Sequence, residues 1–190
     1  MRSGTGCFLL ADKGVLTVDT IRLGLAARDK ADAIDQCGAV LVEVGAVEQR
    51  YVAAMHEREC TVSTFVGQGT ALPHGSATAR RHVRRTAVAV LQFPYGVDWD
   101  GDHVSICVAI AAVGDEDSDL LSTLATMLLD EWRITELRLA RDAATVMGLF
   151  LPPDVRLDTR PSVARSRVPP WTGSRSAGTA GSAYLPHPSR

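Results

Sequence analysis

The sequence predicts an α/β domain of three layers, α/β/α, with a mixed central sheet and helices on both faces, and three observations carry that expectation. Residues 86–93 and 105–112 are nearly unbroken runs of small and β-branched apolar residues, the composition of strands covered on both sides. Segments with apolar residues at helical spacing lie before and after them, and strands interleaved with helices build layered α/β domains. Finally, 190 residues with 46% hydrophobic content suffice for one well-buried core but not for two ordinary ones.

Each element has a local reason. Asp29 followed by Asp32 marks a helix start, after which Ala31, Ile34, Gly38 and Leu41 recur on one side. A second amphipathic stretch runs from about Val47 through Tyr51, Ala54 and Met55 to Arg58. Thr70-Ala71-Leu72 reads as a strand end, stopped by Pro73, which lacks a backbone donor, and by Gly75, which frees the backbone. Pro94-Tyr95-Gly96 has the chemistry of a turn between the two long strands, and the Asp-rich segment 98–102 completes the connection. Leu120, Leu121, Leu124, Met127 and Leu128 share a helix face, continued by Ile134 and Leu137, and Asp142 is placed to cap a last helix ending near Leu149.

Within this frame the segment Gly67-Gln68-Gly69-Thr70-Ala71-Leu72-Pro73-His74-Gly75 carries a histidine out of a short apolar run and displays it at a strand's rim. Imidazole titrates closest to neutrality, so a histidine held in an accessible turn can serve as nucleophile, proton carrier or metal ligand.

Composition narrows the function classes. The formal net charge is −2, and residues 151–190 contain six arginines against two aspartates, which leaves −6 on residues 1–150. Such a body offers no basic face for a phosphate backbone, so nucleic acid is not an expected partner. Cys7, Cys37, Cys60 and Cys107 form no C-x-x-C pair, which argues against a zinc site or a disulfide framework and fits a reducing cytoplasm. No apolar run reaches the roughly 18 residues of a membrane span, and the amino terminus lacks the apolar stretch of a secretory signal. Of two Asp-rich stretches, that at 98–102 has Gly101 in the wrong place for a calcium loop, that at 115–119 has Ser118-Asp119-Leu120 where a glycine turn should be, and neither has the terminal glutamate. No metal or cofactor is therefore expected, and no direct insertion into a membrane. The last forty residues hold seven of the nine prolines, mixed with Ser, Gly and Arg, and read as a disordered tail. The expected organisation is a flexible extension over 1–11, a domain over 12–150 and the tail over 151–190.

Several motifs now join. Tyr51-Val52-Ala53-Ala54-Met55-His56-Glu57-Arg58-Glu59, then Ser63-Thr64, Gly67-Gln68-Gly69 and Ala71-Leu72-Pro73-His74-Gly75, resemble the mannitol/fructose-type IIA component of the bacterial sugar phosphotransferase system. The likeness extends from Val15-Leu16-Thr17, through Ile21–Gly24, Lys30–Ile34 and Gln92–Val97, to the helix at 120–129 and Asp130-Glu131. Pro73-His74-Gly75-Ser76 and Gln92–Val97 look most like the mannitol branch.

The resemblance implies a cytoplasmic phosphocarrier in which His74 accepts a phosphoryl group from the carrier protein HPr and passes it to a cysteine of the IIB component. A neutral imidazole nitrogen is nucleophilic, its phosphoramidate is labile, and phosphoryl transfer is catalysed chiefly by positioning and cations. Arg58 is the implied cation, its planar fork able to bind two phosphoryl oxygens. Glu59 is expected to orient Arg58, with Ser63, Thr64 and Thr70 as hydrogen-bond donors near the phosphoryl group. Where many family members have a second histidine this chain has Asp117, which either repels the phosphoryl group or orients His74. A regulatory protein of the same fold, whose His74 phosphorylation state controls docking to a partner, is the alternative reading.

Overall fold

The computed structural model describes residues 14–114 and 116–150, without the side chains of 116–119. The expected extension over 1–11 and tail over 151–190 lie outside the described residues. Five strands form one mixed sheet in the order β1-β4-β5-β3-β2. They are β1 (Ile21–Arg22), β2 (Phe65–Gly67), β3 (Thr70–Ala71), β4 (Ala87–Trp99) and β5 (Asp102–Ala111). β1 runs parallel to β4 and β3 parallel to β5, whereas the β4/β5 and β2/β3 pairs are antiparallel.

The two long strands show why the sheet is covered twice. Side chains alternate across a strand. Ala87, Ala89, Leu91 and Phe93 of β4 with Cys107, Ala109 and Ala111 of β5 join one core, shared with α1 (Lys30–Glu43) and α2 (Arg50–Thr61). Val88 and Val90 with Ile106, Val108 and Ile110 join the other, shared with α3 (Glu116–Leu128), α4 (Glu131–Leu139) and α5 (Ala143–Phe150). The expected layers, mixed sheet and helices on both faces are thus present. None of the described helices is long and apolar enough to cross a membrane.

The helix boundaries follow local chemistry. The Asp29 side chain accepts the Asp32 N–H at 2.8 Å and caps α1, as the Asp29/Asp32 spacing predicts. Asp142 accepts the Thr145 N–H at 2.8 Å at the start of α5, and that hydrogen bond holds its carboxyl below the usual carboxylate range. Asp130 caps α4 by accepting from the Trp132 and Arg133 amides, so the apolar pattern from Leu120 to Leu137 is divided between two helices.

One connection differs from expectation. Pro94-Tyr95-Gly96 does not separate two strands, because β4 continues through it to Trp99. The register moves from Gln92↔Ile106 to Val97↔Val104, so β4 holds three more residues than β5 across that interval and the excess bulges outward. Tyr95 is consequently 89% exposed. The reversal itself is made by Asp100 and Gly101, both at positive φ, a pairing favoured in two-residue hairpins. Gln68 and Gly69 turn the β2/β3 hairpin in the same way.

Candidate functional site

His74 lies three residues beyond the end of β3, where the pairing with β5 continues: the Ile110 N–H donates to Pro73 O at 3.0 Å, and His74 forms an isolated parallel bridge to Ile110. On the other side the Leu72 N–H donates to Thr64 O at 2.9 Å. The imidazole is half-buried. Its Nδ1 is 2.7 Å from Leu72 O. A carbonyl oxygen only accepts, so Nδ1 carries the proton, and in the neutral ring Nε2 carries the lone pair.

Beneath this turn lies Tyr51, 3% exposed, in the first turn of α2. Its hydroxyl accepts the Gly75 N–H at 2.9 Å and donates to Ile110 O at 2.8 Å. Gly75 is needed for a different reason from the backbone freedom expected of it. Its φ lies outside the left-handed region, but a β-carbon there would lie 2.6 Å from Cε2 of Tyr51. Close packing on an aromatic ring selects glycine.

Arg58 occupies the last turn of α2, and its Nη1 donates to Val62 O at 2.5 Å. Two facts bear on where Arg58 lies relative to His74. Residues 51 and 58 are seven apart in one helix, which puts them on the same face about 10 Å apart along the axis. Phe65 pairs antiparallel with Ala71 and Thr64 with Leu72; extending that register sets Val62 across from residue 74.

Glu59 does not orient the arginine directly, as the sequence suggests. Among the described residues Arg58 forms no ion pair, and the Glu59 carboxylate, 3% exposed, faces other donors. It accepts from Trp99 Nε1 at 2.8 Å, Ser63 Oγ at 3.1 Å, the Thr64 N–H at 2.8 Å and Thr64 Oγ1 at 2.5 Å, and Lys30 Nζ lies 3.5 Å away. Burial disfavours the Lys30 ammonium, but hydrogen bonds and charge from Asp100 and Glu59 hold its pKa above the ordinary value. Glu59 therefore fixes the Ser63-Thr64 segment, and the adjoining Val62 carbonyl holds the guanidinium.

The Ser63 and Thr64 hydroxyl protons are thus committed to Glu59, and that of Thr70 points to Gln68 O at 3.3 Å. All three shape the loop from within instead of presenting donors outward. Replacing Glu59 with glutamine keeps its volume but turns an amide NH2 toward these donors; we expect a loss of about 3 kcal/mol in unfolding free energy by urea titration. A midpoint equal to the wild type's would remove this carboxylate from the fold's supports.

Asp117 sits in the first turn of α3, seven residues past Ile110, and its side chain is not among those described. His103 lies at the opposite end of β5 from Ile110. There it borders a cleft of about 380 Å³ lined also by Gln92, Pro94, Ser105 and Arg138, away from His74. His56 pairs with Asp35 at 2.7 Å, and His82 with Glu48 at 3.0 Å within the Arg80–Arg85 cluster. Cys107 is fully buried beside Cys37, and burial pushes its thiol well above the ordinary value, so it is no ready nucleophile. Among the described residues no His, Cys, Asp or Glu cluster could hold a metal ion.

Sequence reasoning missed Tyr51, Trp99 and Lys30 as supports of this site. Tyr51 is legible as an apolar-face residue of α2, but no local pattern tells where its hydroxyl goes. Trp99 and Lys30 reach Glu59 from 40 and 29 positions away, so only the fold unites them.

Comparison with known proteins shows which family the chain is similar to. Residues 14–151 match the family model described as phosphoenolpyruvate-dependent sugar phosphotransferase system, EIIA 2. The mannitol-specific phosphotransferase enzyme IIA component of Staphylococcus aureus (strain MRSA252) is 39% identical over 132 residues, 70% of this chain and 92% of that protein. Among solved structures, the crystal structure of IIA mannitol from Escherichia coli superposes with a TM-score of 0.66 at 34% identity, covering 70% of this chain and 97% of that one. A complex of IIA mannitol with phosphorylated IIB mannitol, also from Escherichia coli, matches with a TM-score of 0.66 at 33% identity over 70% of this chain and 95% of that one.

Proposed function

The chain belongs to the EIIA type 2 family of the phosphoenolpyruvate-dependent sugar phosphotransferase system, and from that premise we propose that it is a mannitol-type phosphoryl carrier with His74 as acceptor and Arg58 as the cation that steadies the moving group. The observation that carries this reading is the Nδ1–Leu72 O hydrogen bond of a half-buried ring. It leaves the lone pair on Nε2, the atom that must attack phosphorus.

As the Nε2–P bond forms, the N–P bond to the donor's imidazole breaks and positive charge builds on the His74 ring. The Leu72 carbonyl, fixed before the reaction begins, stabilises that charge through Nδ1–H. The Arg58 guanidinium offers paired N–H groups to the phosphoryl oxygens without losing its proton. Onward transfer reverses these events, with a thiolate of the acceptor attacking phosphorus and the imidazole leaving.

The donor in this reading is phosphorylated HPr. The acceptor is the IIB component for mannitol, the partner bound by the Escherichia coli relative. The test is to supply HPr, enzyme I and phosphoenolpyruvate, measure acid-labile phosphate on this chain, and then add IIB. One phosphoryl group per chain, discharged by IIB, is expected; a chain that stays unmodified overturns the proposal.

Asp117, at the start of α3, stands in the same reading where many family members have a second histidine, and a carboxylate brought near a group carrying about two negative charges would oppose its arrival. Asp117→His should raise the rate of uptake from phosphorylated HPr by about tenfold, from removal of roughly one unfavourable charge contact. Equal rates in rapid-quench measurements would deny the position any part in transfer.

A further inference from the structure

We infer that Tyr51 is a positioning residue for phosphoryl transfer, acting through the backbone on either side of His74; the inference rests on the reading of His74 as acceptor. The phenolic oxygen stands between the two chain segments that define the acceptor's place. Gly75, whose N–H it accepts at 2.9 Å, follows His74 directly, and Ile110, to whose carbonyl it donates at 2.8 Å, is the residue bridged to His74 across the sheet. One oxygen atom thereby ties the turn to β5 at the point where the ladder ends.

The ring adds a second constraint. It fills the space that a Gly75 β-carbon would occupy, with Cε2 only 2.6 Å from that position. Displacement of the turn toward α2 meets the ring, and displacement away stretches the Gly75 hydrogen bond. Tyr51 is 3% exposed, so water is poorly placed to take over either partner, and in such surroundings a hydrogen bond is strong and its loss costly. A phenylalanine would fill the same core volume. The hydroxyl is explained by the two backbone groups it serves.

The consequence for transfer comes from α2, which carries Tyr51 and Arg58 on one face, two turns apart. Through Tyr51 the helix holds the acceptor, and through Arg58 it holds the cation, so one rigid element sets their separation. In-line displacement tolerates little error, a misplacement of about 1 Å costing on the order of a hundredfold in rate.

The experiment compares the full chain with Tyr51→Phe in single-turnover phosphoryl uptake from phosphorylated HPr over a range of donor concentrations. The maximal rate should fall about tenfold or more while the half-saturating concentration stays within about twofold, the signature of an interaction that matters in the transition state and not in docking. The His74 Nδ1–H proton signal should shift or broaden in the variant's NMR spectrum, a change that a loss of stability alone would not produce in the folded molecule. An unchanged maximal rate, a loss confined to half-saturation, or an unmoved His74 signal overturns the inference while leaving His74 as acceptor. A wild type that takes no phosphoryl group overturns both. In the unaltered protein the Gly75 amide should exchange with solvent as slowly as the amides of β5, and fast exchange would likewise overturn the inference without any variant having to fold.

Discussion

On the proposed assignment, His74→Ala should abolish phosphoryl uptake from phosphorylated HPr, leaving no acid-labile phosphate on the chain at any time of incubation. The loss is complete because the substitution removes the atom to which phosphorus bonds, and no other described side chain stands in its place: His103 is at the far end of β5, while His56 and His82 are paired with Asp35 and Glu48. The fold should survive. The ring is half-buried, and its hydrogen bond to Leu72 O contributes about 1 kcal/mol. Circular dichroism of the variant should therefore match the wild type, and mass spectrometry of both after incubation gives the answer. Phosphate retained on the alanine variant would move the acceptor elsewhere.

Arg58→Ala comes second in size. Removing a pre-placed cationic donor from the developing charge of a transition state costs on the order of 10²–10³ in rate. The guanidinium also spans to Val62 O at 2.5 Å, so a glutamine at 58, which retains a donor, separates the structural bond from the charge. Lysine at 58 should recover only a part of the lost rate, since an ammonium is a point charge without the fork that grips two oxygens. Rapid-quench transfer from phosphorylated HPr, with His74 reactivity toward diethyl pyrocarbonate as a control for an intact ring, measures all three. Full activity in the alanine variant would remove the arginine from the mechanism.

These two residues were legible in the sequence because their signals are local. Pro73 stops a strand beside the histidine, and a short helical pattern delivers Arg58 close by in the chain. The buried strands, the caps at Asp29 and Asp142 and the covered sheet are legible for the same reason: small β-branched runs and an Asp just ahead of a helical pattern are properties of neighbouring positions. What escaped depends on distant partners. β1 and β2 span two and three residues, too few for any periodicity, and exist because β4 and β3 offer open ladders to them. Pro94-Tyr95-Gly96 has the composition of a turn, yet β4 runs on past it because Val97 and Trp99 still bury against the α1/α2 core. From the sequence Glu59 reads as the residue that orients Arg58, but Trp99 and Lys30 converge on it from elsewhere in the chain and make it an interior anchor.

The two outermost strands have a bearing beyond architecture. A carrier that must meet one protein, release it and meet another works at high local concentration of surfaces made to touch. A long open margin of unpaired amides would invite permanent strand-to-strand adhesion. The outermost strands themselves, of two and three residues, give a visiting chain too little backbone to zip onto. In the proposed relay, encounters with donor and acceptor rest on side chains around the imidazole, where they can be brief.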